Sequence, residues 1–524
     1  MPAEYEIIAA QLLRVNSRNH AAWNEWGRGI FDEALTMPPD IAEQMLTEAG
    51  RKFTVASDLS PNNAAYWQNR GAALLERAKR DTTGNPVPLF EEASAHYESA
   101  IRTSARQIEA WRGAALCYTE RAMRSASPEC ERLFDAAFVR YAVVSELSPR
   151  SYQTWINWGV ALLNCAQQID NERSLSLLIE SVEKSNYAAS LQPDAVEPLN
   201  NAALALLELA KRLPGSPGVA EWFEEADAKL RLGIALAPDA AMLWANRGLL
   251  LHSRSRLEPP AARRESLAEA DGHYVVAHKL EPGSHKTLLN WGNVFLEQGN
   301  ISRTDEEATA FYEEAEAKYR SCVAIESGIA LYWANWGAAY ALRAVDGEAD
   351  RASERCLEAC EKFAVAVKLN PHAVDTLIAW ADMLTFQAKL APDPVKFERL
   401  LSEAESKCQK ARDLNPNTIN AWMIQGNIHL RRAYREPDAA KRSELLYLAQ
   451  ESYETANRGD RKKGVYDLAC VAALRNSPDE CRRLLEDGMG RDILPPRRRI
   501  MRDEDLLPVR DEEWFRQLLE RLPR

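Results

Sequence analysis

The sequence predicts an all-α chain, a solenoid of antiparallel helix pairs, on three observations: tryptophan recurs in register, a small residue follows each tryptophan position by four, and a proline commonly precedes it by six. Twelve of the fourteen tryptophans fall in two rows. The first row, the anchors, holds Trp23, Trp67, Trp111, Trp155, Trp244, Trp333 and Trp422, and its gaps are filled by Leu199, Leu288, Leu377 and Tyr466. These eleven anchors succeed one another at 44 or 45 residues. Self-similarity at a fixed period marks a repeat array, in which each unit buries its apolar face against its neighbours. The second row, Trp26, Trp158, Trp291, Trp336 and Trp380, lies one helical turn after the first.

Each anchor predicts a first helix, A. Four residues on stands Gly27, Gly71, Ala115, Gly159, Ala203, Gly248, Gly292, Gly337, Ala381, Gly426 or Cys470, so a bulky group and a small one share a face and allow close helix contact. The second helix, B, ends at Pro61, Pro149, Pro193, Pro238, Pro282, Pro371 or Pro416, because proline cannot continue a helix. Within B, sets such as Ala49, Phe53, Ala56 and Ala359, Phe363, Ala366 repeat at spacings of four and three, one helical face. Residues 1–17 read as a lone capping helix, 18–462 as ten repeats, 463–490 as a short eleventh and 491–524 as a C-terminal cap with Trp514, Leu518 and Leu519 turned inward.

The pattern W-x-N-x-G in A and A-x3-Y-x2-A-x4-P in B resembles the tetratricopeptide repeat over about residues 8 to 490. That resemblance implies a right-handed superhelix with the A helices on its concave side. This unit is longer than the family's, and the extra residues fall between A and B, as in 76–93 and 209–226. They are expected to lengthen both helices and the loop, with GNPVP (84–88) and PGSPG (214–218) in exposed connections. The ending LLPVRDEEWFRQLLERL is similar to the terminus of many bacterial members, which implies a bacterial source.

Composition narrows the function. With 65 Lys+Arg against 77 Asp+Glu the net charge is -12, which disfavours a non-specific nucleic-acid binder; 46% hydrophobic residues exclude wholesale disorder. Nine cysteines without a CxxC pair point to reduced core thiols and the cytoplasm, and no apolar run is long enough to cross a bilayer. No phosphate loop, HExxH or GxSxG occurs. His273 and His278 are five apart and Cys356 and Cys360 lack further ligands nearby, so neither pair suggests a metal site, and Glu313 and Glu314 belong to a solvated face. The expectation is therefore no catalysis, no cofactor and no metal.

One binding signal remains. Two residues after the anchor stand Asn69, Asn157, Asn201, Asn246, Asn290 and Asn335. The resemblance places this position on the concave surface, where an amide can bond a peptide backbone through its donor and acceptor together. The ladder of repeats 4 to 8 is expected to project into one groove with its amides free, flanked by the apolar positions Ile156, Leu289, Ile378, Val160, Leu204 and Leu249. Arg497, Arg498 and Arg499 are expected to form a turn salt-linked to Asp503, Glu504 and Asp505, or to contact an acidic partner. The leading expectation is a scaffold or adaptor for another polypeptide. The alternatives are a regulatory or chaperone-like holder of a separately encoded enzyme, and a helical-repeat nucleic-acid binder.

Overall fold

The computed structural model describes residues 4–81, 84–169, 171–346 and 351–522, so Thr82 and Thr83 of the first extension lie outside the described residues. Among these residues there is no strand. The chain forms two compact units, 1–253 and 254–524.

The first unit begins with α1 (Glu4–Val15) and continues through five A/B pairs: α2 (His20–Ala34) with α3 (Pro39–Leu59), α4 (Ala64–Arg80) with α5 (Val87–Thr103), α6 (Ile108–Ala122) with α7 (Glu129–Leu147), α8 (Tyr152–Gln168) with α9 (Arg173–Leu191), and α10 (Glu197–Arg212) with α11 (Val219–Leu236). It closes within the next A helix, α12 (Ala241–Ser255). The second unit contains α13 (Pro260–Leu280), then α14 (His285–Asn300) with α15 (Asp305–Ile325), α16 (Ala330–Asp346) with α17 (Ala352–Leu369), α18 (Val374–Leu390) with α19 (Pro394–Leu414), α20 (Ile419–Arg435) with α21 (Ala439–Gly459), and α22 (Val465–Leu474) with α23 (Pro478–Gly490). α24 (Arg497–Arg502), a 3-10 helix over Glu504–Val509 and α25 (Glu513–Arg521) end it. In each unit the neighbouring helices of the pairs pack on one another, as a solenoid requires.

The extra residues of each unit go mainly into helix rather than loop, which corrects the expectation of a long connection. B helices α3, α13, α15, α19 and α21 each run 21 residues, and the A-to-B links are short. Prolines open three of these five helices, and capping Thr304 and Asp438 open the other two. Pro39, Pro260 and Pro394 sit at the first position of a B helix, where a missing N–H costs no hydrogen bond. PGSPG stays in a connection, whereas the second half of GNPVP already belongs to α5.

The small position of A receives a large side chain from its own B helix. A Cβ on Gly27 would come 2.7 Å from Phe53, on Gly292 2.6 Å from Tyr319, and on Gly337 2.8 Å from Phe363. Each receiving glycine is a hole that the B-helix ring fills. The anchor tryptophan does something else, which the spacing alone did not reveal. In six of the seven anchor tryptophans the indole N–H donates to the carbonyl six residues earlier: Trp67 to Pro61 (2.8 Å), Trp155 to Pro149 (2.7 Å), Trp244 to Pro238 (2.9 Å), and Trp23, Trp111 and Trp333 to Ser17, Ala105 and Ser327. The anchor thus ties the turn from the preceding helix to the start of A. Trp155→Phe keeps most of the ring but loses this bond, and should lower unfolding free energy by about 1 kcal/mol in chemical denaturation; no measurable loss would refute the tie.

The second-row tryptophans lie in the A/B seam under a lysine from the same repeat. Lys52 stands 3.9 Å over Trp26, Lys184 4.3 Å over Trp158, Lys318 4.0 Å over Trp291, Lys362 4.9 Å over Trp336 and Lys407 4.0 Å over Trp380. A glutamate one turn earlier completes each set, as in Lys52–Glu48 (2.8 Å) and Lys184–Glu180 (3.2 Å). A half-desolvated cation over an indole face contributes roughly 1 to 2 kcal/mol. These rings are structural members of the seam, in keeping with their regular spacing.

Candidate functional site

On the A helices the positions at anchor plus two, plus five and plus nine keep partial exposure in repeats 4 to 8, while those at plus four are buried or nearly so. Within each unit the exposed positions form a solvated stripe; Asn157, Asn201 and Asn246 belong to that of the first unit, where Asn69 holds the same position in repeat 2, and Asn290 and Asn335 to that of the second. All six are half-buried. Among the apolar neighbours, Ile156 and Ile378 are buried and serve the core, whereas Val160, Leu204, Leu249 and Leu289 stay half-exposed.

The amides are not all free, which corrects the expectation of an unbonded ladder. Asn69 donates to Asn24 (2.8 Å), Asn246 to Asn200 (2.6 Å) and Asn335 to Asn293 (3.2 Å), each bond joining successive A helices. Asn157 accepts from Gln153 on its own helix (2.9 Å). The cause is geometric: side chains at this position point along the seam between neighbouring A helices as well as outward, and an amide beside another amide bonds it. Asn201 and Asn290 make no hydrogen bond within the described residues. In the second unit Asn293 also accepts from Tyr319 (2.7 Å), and Asn427 accepts from Tyr453 in the same way (2.7 Å). Bonding by Asn293 and Asn427 was not anticipated, although both stand five after an anchor.

The remaining candidates resolve into packing and ion pairs. His273 is buried beside Glu269 (3.5 Å), and His278 lies 5.7 Å from the Trp291 ring. Glu313 pairs with Arg343 (2.7 Å) and Glu314 with Lys318 (3.4 Å). Burial pushes the thiols of Cys356 and Cys360 up to about 12, far from thiolate chemistry at neutral pH.

The C-terminal segment is more engaged than its sequence suggested. Arg498 pairs with Asp305 (3.6 Å) and donates to the carbonyls of Thr304 and Gly299, and Arg502 pairs with the same Asp305 (2.5 Å). The basic run is therefore part of α24, and Arg498 ties it to α15; the acidic residues Asp503, Glu504 and Asp505 follow it. Those acids dock elsewhere: Glu504 on Lys389 of α18 (3.2 Å), Asp505 on Arg431 (3.4 Å) and Tyr434 of α20, and Asp503 on Tyr466 of α22 (2.7 Å). Cys470, Asp503 and Asp505 lie close enough to suggest a metal site, but both carboxylates already accept hydrogen bonds and burial holds the thiol well above its ordinary pKa. The group is better read as the seat of the tail. Phe515 and Leu518 fill the core of the cap, while Trp514 and Leu519 pack only partly against it.

No family model matches the sequence. Among solved structures the chain is similar to a tetratricopeptide repeat protein from Parabacteroides merdae, at 13% identity over 60% of this chain and 98% of that one, with a TM-score of 0.40. It is also similar to YrrB, described as a TPR protein with an unusual peptide-binding site, at 17% identity over 44% of this chain and 97% of that one (TM-score 0.30). A third is a monomeric mutant of IFIT1 carrying m7Gppp-AAAA, at 13% identity over 82% of this chain and 90% of that one (TM-score 0.40). With antiparallel helix pairs, a small A-helix position filled from B and a proline-bounded turn, repeated at 44 or 45 residues, the chain is a TPR-like helical-repeat protein in extended form.

Proposed function

We propose that the chain is a non-catalytic interaction scaffold whose A-helix stripe holds an extended segment of another polypeptide. The observation that carries this reading is the chemistry of the stripe in repeats 4 to 8. Its positions at plus two, plus five and plus nine hold asparagine, Ser253, Val160, Leu204, Leu249, Ala338, Leu342 and the acids Glu208 and Glu297, with no lysine or arginine among them. A nucleic-acid backbone would find no cation there, whereas an extended peptide finds paired donors and acceptors beside half-exposed apolar surface. Asn201 and Asn290 are the two rungs best suited to a ligand, because bonding one costs no internal hydrogen bond. In this reading the partner is encoded separately, an enzyme being one fitting class, and the chain acts as adaptor or holder. Reduced core thiols favour the cytoplasm.

Replacing Asn157, Asn201 and Asn246 together by Ala tests the reading within the first unit. A partner co-purified from the native host and titrated by fluorescence anisotropy should bind at least tenfold more weakly. The unfolding free energy should fall only by the loss of the Asn246–Asn200 and Gln153–Asn157 bonds, about 1 kcal/mol each. Affinity within twofold of the parent protein would assign the asparagines to structure alone.

A further inference from the structure

A cleft of about 770 Å³ opens in the second unit between the start of α13, the link from α14 to α15, and the C-terminal cap. Six arginines line it: Arg263, Arg264, Arg303, Arg497, Arg498 and Arg521. Asp492 is the one carboxylate among the lining residues, and no lysine lines it. The asymmetry is unexpected in a chain of net charge -12. Arg263 and Arg264 donate to backbone carbonyls, those of Ser255, Arg256 and Ile301, rather than to acids. The Nε of Arg497 is buried without a partner, and Arg303 and Arg521 are exposed with side chains that bond nothing among the described residues. Asp305 engages Arg498 from outside.

Guanidiniums lining one cleft repel one another, and five of these six meet no carboxylate among the described residues. A bound anion removes that repulsion, and the planar fork of arginine matches phosphate oxygens two at a time, which the point charge of lysine does not. Much of the remaining lining is an apolar wall from the C-terminal segment, with Met489, Leu494, Pro495, Pro496, Met501 and Leu522. The volume is that of a small-molecule site, not of a track along which a strand could run. We propose that this cleft binds a small molecule carrying a di- or triphosphate group, its phosphates held by Arg263, Arg264, Arg303, Arg497 and Arg521 and its remaining part laid on the apolar wall. This site is separate from the asparagine stripe and does not depend on the scaffold reading.

Binding also joins the cap to α13 and to the α14–α15 link, so occupancy stabilises the second unit by mass action. The test is calorimetric titration of the full chain with tripolyphosphate and with ATP, beside orthophosphate, deca-glutamate and a short single-stranded oligonucleotide. Tripolyphosphate or ATP should bind one per chain, at least tenfold tighter than orthophosphate, and raise the melting temperature. The variants R303Q and R521Q, each at an exposed position with no internal partner, should fold as the parent does and weaken that binding at least fivefold apiece; R51Q, on the first unit, should leave it unchanged. No binding of tripolyphosphate or ATP at millimolar concentration overturns the proposal, as does binding that both variants leave intact. Tighter binding of deca-glutamate or of the oligonucleotide, lost in the same variants, overturns it in favour of a macromolecular anion.

Discussion

Gly292→Trp should abolish cooperative unfolding of the second unit near its normal temperature, because even the first added carbon has nowhere to go. A Cβ there stands 2.6 Å from Tyr319, a ring fully buried and held by its hydroxyl on Asn293 at 2.7 Å. The ring cannot swing aside without breaking that bond and entering its neighbours. Overpacking a well-filled core by a few methylenes costs about 1 to 3 kcal/mol, and an indole exceeds that range against a total that is usually only about 5 to 15 kcal/mol. Gly292→Ala sharpens the argument. Alanine gains about 1 kcal/mol in helix propensity, yet here overpacking outweighs it, so the variant should be destabilised. Gly272, exposed on α13 with nothing within 4 Å of a Cβ, should by contrast be stabilised by about 1 kcal/mol on replacement by Ala. Thermal melts that move both alanine variants in the same direction would sink the knob-and-hole account.

That contact was legible in sequence because period and residue size survive in every repeat. Three other features were legible only in part. The tryptophan-to-carbonyl tie was implicit in the spacing of six between Pro61 and Trp67 or Pro149 and Trp155, but spacing does not say whether a ring packs inward or folds back on a turn. The lysine over each second-row tryptophan left a clear trace. Lysine directly precedes Phe53, Ser185, Tyr319, Phe363 and Cys408, and where the second row holds Arg70 or Arg247 instead of tryptophan, the lysine becomes His96 or His273. A cation over an indole is favourable and a lysine beside an arginine is not, so within the first unit the exchange of lysine for His96 beside Arg70 is the expected charge compensation. The asparagines were placed on the right stripe, but amides on successive A helices meet only after packing fixes their distance. The docking of α24 on Asp305 had no local signal, since nearly two hundred residues separate Arg498 from Thr304.

The tail supplies the second large effect. Arg431 of α20 reaches Asp505 at 3.4 Å, with Tyr434 bonding the same carboxyl and Asp503, Asp467 and Asp382 close by; Lys389, which also acts on Asp505, is paired with Glu504. Arg431→Met should cost about 3 to 5 kcal/mol at pH 8, because removing one partner strands the other charge in a nearly dry site. The tail from α24 onward should then become the first site of limited proteolysis. Acid should soften the defect, since the stranded carboxyls can take up protons. Asp467 fixes the direction for the native chain: burial first, and then Asp503, Asp505 and Asp382, push its pKa from 3.8 up to about 7, against a backbone hydrogen bond that lowers it. A raised carboxyl contributes its stability in the protonated form, complete below about pH 4 and lost as pH rises through 7. Asp467→Asn should therefore match the parent near pH 4 and exceed it at pH 8, by roughly 4 kcal/mol, since the shift from 3.8 to about 7 spans about three tenfold changes in proton affinity, each worth about 1.36 kcal/mol. Equal stability of parent and variant at both pH values, or a parent that gains on it as pH rises, would show that Asp467 stays charged in the folded chain and that Arg431 serves more than Asp505.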